Sequence, residues 1–283
     1  MEALMATYGS DSEENGEDET RLPLPPPLPV PSFKKLSPLP PPPLHLLQPR
    51  TSLDFSATST SQGIRIRSFP HVEGNYALHV FVAVHIPSAT KKQLAIHVKR
   101  IASLVPDLYV VDVDVALSEL CKDDQKLEQI LLGREFHISL GRTVPIQVHQ
   151  IDSIVAMLRE KLQSQRGYWI EFNKWDVFVN DDLTRTFLSL EVTGGGLQQI
   201  SRQIQIVDEV YRLHGLPEFY KNPRPHISLV WALGDISDTL KTAVSDLGRS
   251  QNRPQKHIFM CKFSGIECKI GKKSFNICRD RGQ

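Results

Sequence analysis

The tetrapeptide His-Ile-Ser-Leu occurs twice in this chain, at residues 137–140 and at residues 226–229. Side chains alternate along a β-strand, so the histidine and the serine of each copy point to one side and the isoleucine and leucine to the other. The apolar pair can anchor the strand in a core, while the polar pair faces a cleft or solvent. If the two strands face each other, two histidines and two serines meet at one site.

Two facing histidines suit the cleavage of a phosphodiester. Because the unperturbed pKa of imidazole is about 6.5, one ring can take a proton from an attacking hydroxyl while the other gives one to the leaving oxygen. The hydroxyls of Ser139 and Ser228 can donate hydrogen bonds to non-bridging phosphate oxygens. This chemistry requires no metal ion and no cofactor. We therefore predict His137 and His226 as the catalytic residues.

The prediction that these two histidines are catalytic rests on the repetition of the motif. A single histidine two residues before a serine is common, and such a histidine is usually a surface or core residue. An identical tetrapeptide in matching positions of two similar passages is much harder to explain by chance. Other histidines lack that context: His79, His85 and His97 fit a strand face or a helix surface, and His149 and His257 have no partner motif.

Each copy of the motif follows a strand and a long amphipathic helix. Alternating hydrophobicity predicts a strand at residues 76–86, and helical spacing predicts a helix at residues 91–104 with Ser88 as its N-cap. A strand at residues 186–192 and a helix at residues 197–213 precede the second copy. Short strands with segregated helices indicate the α+β class. The internal similarity predicts a bilobal fold with two pseudo-symmetric lobes, each an antiparallel sheet with helices, and a catalytic cleft between them.

The remaining periodic segments complete the predicted α+β pattern. Residues 108–115 alternate apolar and polar side chains, as a half-buried strand does. Other strands are predicted at residues 135–141, 168–172, 175–179, 226–232, 257–263, 267–270 and 275–277, and other helices at residues 148–162 and 236–247.

The first 62 residues differ in composition from the rest of the chain. They contain eight acidic and four basic residues, a net charge of −4, so the remainder carries +5 of the overall +1. Twelve of the 20 prolines lie between Pro23 and Pro49. We predict a disordered, acidic and proline-rich arm at residues 1–62 and a folded domain at residues 63–283. The arm is either a flexible tail or a ligand for a protein partner.

The cysteines and the hydropathy of the sequence limit the cellular compartments in which the protein is expected. The four cysteines show no metal-ligand spacing, and three of them lie in the last predicted strands, where small buried hydrophobes are expected. No signal peptide and no apolar run near 20 residues is present, so neither secretion nor a membrane is indicated. We expect a reducing compartment, cytosol or nucleus.

Beyond the two motifs, the sequence resembles the U6 snRNA phosphodiesterase family of the 2H phosphoesterase superfamily, whose members carry two His-x-Ser/Thr motifs on a bilobal α+β fold. The resemblance runs from about Ile66 to Ile277. It rests on both tetrapeptides and on five further segments: Arg67-Ser68-Phe69-Pro70-His71, Gly74-Asn75-Tyr76, Arg185-Thr186-Phe187, Leu190-Glu191-Val192 and Phe219-Tyr220.

The resemblance implies an enzyme that trims the oligouridine 3′ tail of U6 snRNA in the 3′→5′ direction. The penultimate 2′-hydroxyl would attack the adjacent phosphorus, with one histidine as general base and the other as general acid. The product would end in a 2′,3′-cyclic phosphate or a 3′-phosphate. The resemblance also implies an RNA partner with a 3′ oligouridine end, a role in splicing, a nuclear location and a monomer.

The same resemblance assigns substrate contacts. Ser139 and Ser228 would bind the scissile phosphate, and Tyr220, six residues before His226, would stack on a terminal base. Lys221 and Arg224 lie near enough in sequence to help with phosphates.

Two other functions fit the same motifs. One is a 2′,3′-cyclic phosphodiesterase or RNA-ligase-like enzyme that acts on small nucleotides or tRNA ends, and the other is a non-catalytic RNA-binding protein. The Phe219-Tyr220 pair and the acidic, proline-rich arm favour the exonuclease, and two intact motifs count against a pure binder. Because the motifs are identical, the sequence leaves open which histidine is base and which is acid.

Overall fold

The computed structural model describes residues 72–113, 115–249 and 257–279, so the predicted arm at residues 1–62 lies outside the described residues. Eleven strands are present in these ranges: β1 Asn75–Val84, β2 Tyr109–Val110, β3 Phe136–Ser139, β4 Val144–Gln147, β5 Trp169–Phe172, β6 Lys174–Val179, β7 Arg185–Glu191, β8 His226–Leu233, β9 Phe259–Lys262, β10 Gly265–Ile270 and β11 Lys273–Arg279. Six α-helices accompany them: α1 Ser88–Leu104, α2 Leu117–Leu120, α3 Asp124–Leu132, α4 Ile151–Leu162, α5 Leu197–Leu213 and α6 Ser237–Arg249.

Two antiparallel sheets form the frame of the two lobes. The first has the order β11-β10-β1-β3, with β4 paired to the beginning of β1, and the second has the order β2-β8-β7-β6. Strands β5 and β9 form a separate two-stranded sheet. In each lobe the motif strand pairs with a strand that leads into a 17-residue helix: β3 with β1 before α1, and β8 with β7 before α5. The predicted α+β, two-lobed architecture is therefore confirmed.

The core follows the periodicity of the elements. Val80, Val82 and Val84 alternate along β1 and are buried, as their spacing predicts. In α5, buried residues recur three or four positions apart, at Ile200, Ile204, Val207 and Tyr211 among others, so one face of the helix packs into the hydrophobic core. The helix occupies residues 197–213, as predicted.

Three local predictions were wrong. Helix α1 begins at Ser88, and its N-cap position is Pro87, which makes no side-chain capping hydrogen bond, so Ser88 is not the cap. Residues 108–115 are not one strand: β2 ends at Val110, and Asp112 has a φ of 68°, which lets the chain turn back. The amide of Val110 then donates to the carbonyl of Val115 at 2.9 Å, across this turn.

The third error concerns the segment before α4. Residues 144–147 form β4, although Pro145 cannot donate to a ladder and so argues against a strand in sequence reasoning. The following residues Val148–Gln150 form a 3-10 turn, and α4 begins only at Ile151. Val148 is 59% exposed and does not belong to the buried face of the helix.

A buried hydroxyl fastens β7 to the chain that leaves β8. The Thr186 hydroxyl donates to the carbonyl of Gly234 at 2.7 Å and accepts from the amide of Ile236 at 2.9 Å. Thr186 is fully buried, so water cannot replace either bond. This link holds the end of the second motif strand in place on its sheet.

We expect Thr186→Val to lower the free energy of unfolding by about 2 kcal/mol, because the valine keeps the shape but leaves the Ile236 amide and the Gly234 carbonyl without a partner. Urea unfolding would measure the loss. Thr186→Ser keeps the hydroxyl and is the matched control, expected to lose less. A valine variant as stable as wild type would show that these two hydrogen bonds contribute nothing.

Candidate active site

The two motif strands belong to different sheets but lie against each other. In both strands the isoleucine and leucine of the motif are fully buried, while the histidine and serine are half-buried on the opposite face. Arg134, just before β3, donates from Nη2 to the carbonyl of Ser228 in β8 at 3.1 Å. Its Nη1 donates to Asp112 at 3.1 Å. The structure therefore brings together the histidine–serine pairs of both lobes.

The protonation state of His226 is set by its neighbours. Its Nδ1 lies 2.7 Å from the carbonyl of Arg224, which can only accept, so Nδ1 carries the hydrogen and the neutral ring presents a lone pair at Nε2. The ring stacks on Phe178 with centroids 3.8 Å apart. Burial lowers the pKa of His226 below its ordinary value, against the opposing effects of the hydrogen bond to Arg224 and of Glu191. The charge of His137 lowers it further, so the two motif histidines influence each other.

Arg224 is held by acidic side chains. Its Nε and Nη2 donate to the two carboxylate oxygens of Glu191 at 2.6 and 2.7 Å, and Nη2 also donates to Asp176. Glu191 is only 5% exposed and stands directly opposite His226 in the ladder between β7 and β8. The guanidinium also lies 4.5 Å from the centroid of the Phe178 ring. Although the sequence suggests a phosphate contact, Arg224 is engaged in fixing the chain that leads into His226.

Each motif serine has a side-chain partner on the neighbouring strand. The Ser228 hydroxyl lies 3.1 Å from that of Ser189, which is fully buried and opposite Ser228 in the ladder. The Ser139 hydroxyl lies 3.0 Å from Nε2 of His79. These partners hold the serines on the same face as the histidines.

His79 is the residue that sequence reasoning missed at the first motif. Its ring makes an edge contact with that of His137, with centroids 4.9 Å apart, and stacks on Phe81 at 4.9 Å. Burial, then the charges of His137 and Lys269, lower its pKa from 6.5 to about 3, so the ring is neutral at neutral pH. Because side chains alternate along β1, His79 lies on the face of the strand opposite to the buried valines. Only the pairing of β1 with β3 shows that this is the face of the motif.

Tyr220 lies in the loop before β8 and is 46% exposed. The guanidinium of Arg142 lies 4.2 Å from the centroid of its ring, and Arg142 Nη1 donates to Asp181 at 2.6 Å. The Tyr211 hydroxyl donates to the Arg142 carbonyl at 3.2 Å. Since Arg142 follows shortly after the first motif, Tyr220 is held beside the end of that motif strand. Sequence reasoning did not single out Arg142.

The last strands carry three cysteines, Cys261 in β9, Cys268 in β10 and Cys278 in β11. Cys268 and Cys278 are buried, as expected, and Cys261 is half-buried. Burial raises the pKa of the Cys261 thiol to about 12.

Within residues 72–113, 115–249 and 257–279, no group of three His, Cys, Asp or Glu side chains is placed to hold a metal ion. None of the helices in those ranges is long and apolar enough to cross a membrane.

The lowered pKa of His79 makes stability depend on pH. In the unfolded chain this histidine takes up a proton near pH 6.5, whereas in the folded chain it does so only near pH 3. Acid therefore favours the unfolded state within that window. We expect wild type to lose about 1–2 kcal/mol more unfolding free energy than His79→Phe between pH 6.5 and 4.5. Urea titrations at both pH values measure this difference, and equal losses would contradict it.

Comparison with known proteins finds a family model and several named relatives. Residues 37–278 match a family model described as HVSL, an uncharacterised conserved protein family. The Danio rerio protein named U6 snRNA phosphodiesterase 1 is 32% identical over 222 residues, which cover 77% of this chain and 71% of that protein. The Xenopus laevis protein of the same name is 28% identical over 278 residues, covering 96% of this chain and 98% of that protein.

A solved structure shows the same fold. The structure of Kluyveromyces marxianus Usb1 with uridine monophosphate superimposes with a TM-score of 0.51 at 12% sequence identity, over 71% of this chain and 97% of that one. With a family model that matches most of the sequence, and a zebrafish relative above 30% identity, the chain belongs to the HVSL family and to the family of the U6 snRNA phosphodiesterase 1 proteins.

Proposed function

We propose that this protein is a 3′→5′ RNA exonuclease that trims the oligouridine tail of U6 snRNA, with His137 and His226 as its catalytic pair. The observation that carries the proposal is the placement of two half-buried histidine–serine pairs on adjoining strands of two lobes. The relatives named U6 snRNA phosphodiesterase 1 support the substrate, and the Usb1 structure with uridine monophosphate supports a uridine end.

The neighbours of His226 favour it as the general base. Its Nδ1 hydrogen is committed to the Arg224 carbonyl, and burial lowers its pKa, so at neutral pH Nε2 has a lone pair ready to accept a proton. His137 is then the general acid. This assignment is inferred from the surroundings of His226, because the two motifs themselves are identical.

In the reaction, Nε2 of His226 takes the proton from the 2′-hydroxyl of the penultimate nucleotide as its oxygen attacks the adjacent phosphorus. The bond from phosphorus to the 5′-oxygen of the last nucleotide breaks, and His137 gives that oxygen a proton. The products are a shortened RNA with a 2′,3′-cyclic phosphate and a nucleoside with a free 5′-hydroxyl. If water then opens the ring, the two histidines exchange roles and a 3′-phosphate remains.

Ser139 and Ser228 are placed to stabilise the charge that develops on the phosphate. Each lies two residues after a motif histidine, on the same face of the same strand. Hydroxyl donors aimed at non-bridging oxygens stabilise the transition state more than the ground state when they are held in advance. Since the nucleophile is the 2′-hydroxyl, DNA is not a substrate.

Tyr220 supplies a stacking surface for a terminal base. Its ring is 46% exposed, enough to contact a base, and Arg142 fixes its orientation. The ion pair between Arg142 and Asp181 restrains the guanidinium in turn. A stacked base contributes about 1–3 kcal/mol, so this contact would serve substrate binding rather than bond cleavage.

The assignment carries wider consequences for the protein. Processing of U6 snRNA places it in the nucleus and in the supply of RNA for splicing, and a cyclic product makes the cleavage step a lyase reaction. We propose a monomeric domain at residues 63–283, preceded by an acidic, proline-rich arm at residues 1–62 that is a flexible tail or a protein ligand.

The primary test is incubation with an RNA that ends in oligouridine, in the presence of EDTA. We expect stepwise shortening from the 3′ end by wild type, and a loss of about 10²–10⁴-fold in His137→Ala and in His226→Ala, because each removes a proton-transfer group. His85→Ala is the matched control, since His85 is an exposed histidine paired with Glu135.

Three outcomes would contradict the proposal. If EDTA abolished the shortening of the RNA, the metal-independent mechanism would be wrong. Hydrolysis of a 2′,3′-cyclic mononucleotide without any RNA shortening would indicate a small-molecule phosphodiesterase. RNA binding without cleavage, unchanged in both histidine variants, would indicate a binding protein.

Tyr220 gives a second, separate prediction. We expect Tyr220→Ala to raise KM for oligouridine RNA about 5–150-fold with little change in kcat, because stacking worth about 1–3 kcal/mol is lost from binding. Tyr220→Phe keeps the ring and should behave like wild type. Arg142→Ala should show a smaller rise in KM. Steady-state kinetics separate the two constants, and a loss confined to kcat would rule out a binding role.

A further inference from the structure

We propose that His79 is a positioning residue for cleavage: its Nε2–H donates to the Ser139 oxygen and directs the Ser139 hydroxyl hydrogen toward the scissile phosphate. The proposal rests on the proposed function, and it assigns a third histidine to the reaction. His79 belongs to neither motif, and it acts through Ser139 rather than on the reacting atoms.

The register of the first sheet places His79 at the site. Strand β1 pairs with β3 so that Phe81 stands opposite Ser139 and Ala83 opposite His137. His79, two residues before Phe81, is therefore on the same face and diagonal to Ser139, a separation that long side chains bridge. The distance from His79 Nε2 to Ser139 Oγ is 3.0 Å, within hydrogen-bond range.

The proposed role requires His79 to be the donor in this hydrogen bond and the Ser139 oxygen to be the acceptor. A serine hydroxyl has one hydrogen, and if it were given to His79, the oxygen would present only lone pairs to an anionic phosphate. If His79 donates instead, the hydroxyl hydrogen remains for a phosphate oxygen. The productive form is thus the neutral ring with its hydrogen on Nε2. Burial holds the pKa of His79 near 3, which keeps the ring neutral at neutral pH.

The second lobe repeats the arrangement with a different side chain. Ser228 has the hydroxyl of Ser189 at 3.1 Å, on the strand that pairs with its own. A hydroxyl, like a neutral imidazole, can donate to the motif serine. Both motif serines therefore have, on the neighbouring strand, a group that can donate to them, which is expected if each must point its own hydrogen outward.

His79 also contacts His137, so its donor role must be separated from ring packing. The two rings make an edge contact with centroids 4.9 Å apart. His79→Phe keeps a ring there but has no donor, whereas His79→Gln keeps an N–H donor but has no ring. These two variants form a matched pair.

The experiment is a double-mutant cycle on oligouridine RNA with wild type, His79→Phe, Ser139→Ala and the double variant, together with His79→Gln. We expect His79→Phe to lower kcat about 10-fold or more with KM little changed, and His79→Gln to retain most of the activity. The double variant should be no worse than Ser139→Ala alone, because His79 acts through that hydroxyl. Urea unfolding verifies that each variant is folded.

Two results would overturn the proposal. If the effects of His79→Phe and Ser139→Ala multiply in the double variant, His79 does not act through Ser139. If His79→Gln is as impaired as His79→Phe, ring packing rather than a donated hydrogen bond explains the loss.

A measurement without RNA distinguishes failure of this proposal from failure of the proposed function. The ¹⁵N spectrum of the folded wild-type protein shows which nitrogen of His79 carries the hydrogen. A hydrogen on Nε2 supports the positioning role even if oligouridine RNA is not the substrate. A hydrogen on Nδ1 overturns it even if the RNA is shortened by the two motif histidines.

Discussion

The contact between strands β3 and β8 determines the geometry on which the site depends, because each strand contributes one histidine and one serine from its own sheet. The hydrogen bond from Arg134 to the carbonyl of Ser228 crosses this contact. Arg134 is itself restrained by Asp112 and by the Phe136 ring, 4.0 Å away. Groups that must transfer two protons across one phosphodiester are effective only when held at a fixed separation. A few interactions at this contact therefore set the spacing of the two proposed catalytic histidines.

The two identical motifs have different neighbours on the strands beside them. Opposite His226 stands Glu191, which binds Arg224, whose carbonyl in turn fixes the hydrogen of His226. Opposite His137 stands Ala83, and the nearby ring is that of His79. The lobes are similar in backbone but not in these neighbours. The proposed reaction accepts one proton and donates another at the same moment, so different surroundings for the two histidines fit it.

Local patterns in the sequence predicted the elements whose burial is periodic. Helix α5 has the predicted bounds, and both motif strands show the expected alternation of buried and half-buried residues. The contacts that could not be predicted from the sequence are those that depend on pairing between distant segments. The contacts of His79 with Ser139 and of Arg224 with Glu191 arise from strand register, which hydrophobic alternation in one strand does not specify. The turn at Asp112 was not predicted, because the residues around it alternate between apolar and polar side chains as in a strand.

The order of strands in the first sheet has a consequence for how the protein is made. Strand β1 lies between β3 and β10, and β10 is followed by β11, so the lobe that carries the first motif is completed by residues 265–279, which follow both motifs in the sequence. During synthesis this sheet lacks β10 and β11 until residues 265–279 have left the ribosome, whereas the strands of the other sheet, β2, β6, β7 and β8, are all made earlier. A stop after β8 would therefore leave the sheet of the later motif with all four of its strands, whereas the sheet of the earlier motif would keep β1, β3 and β4 but lack β10, the partner on the other edge of β1.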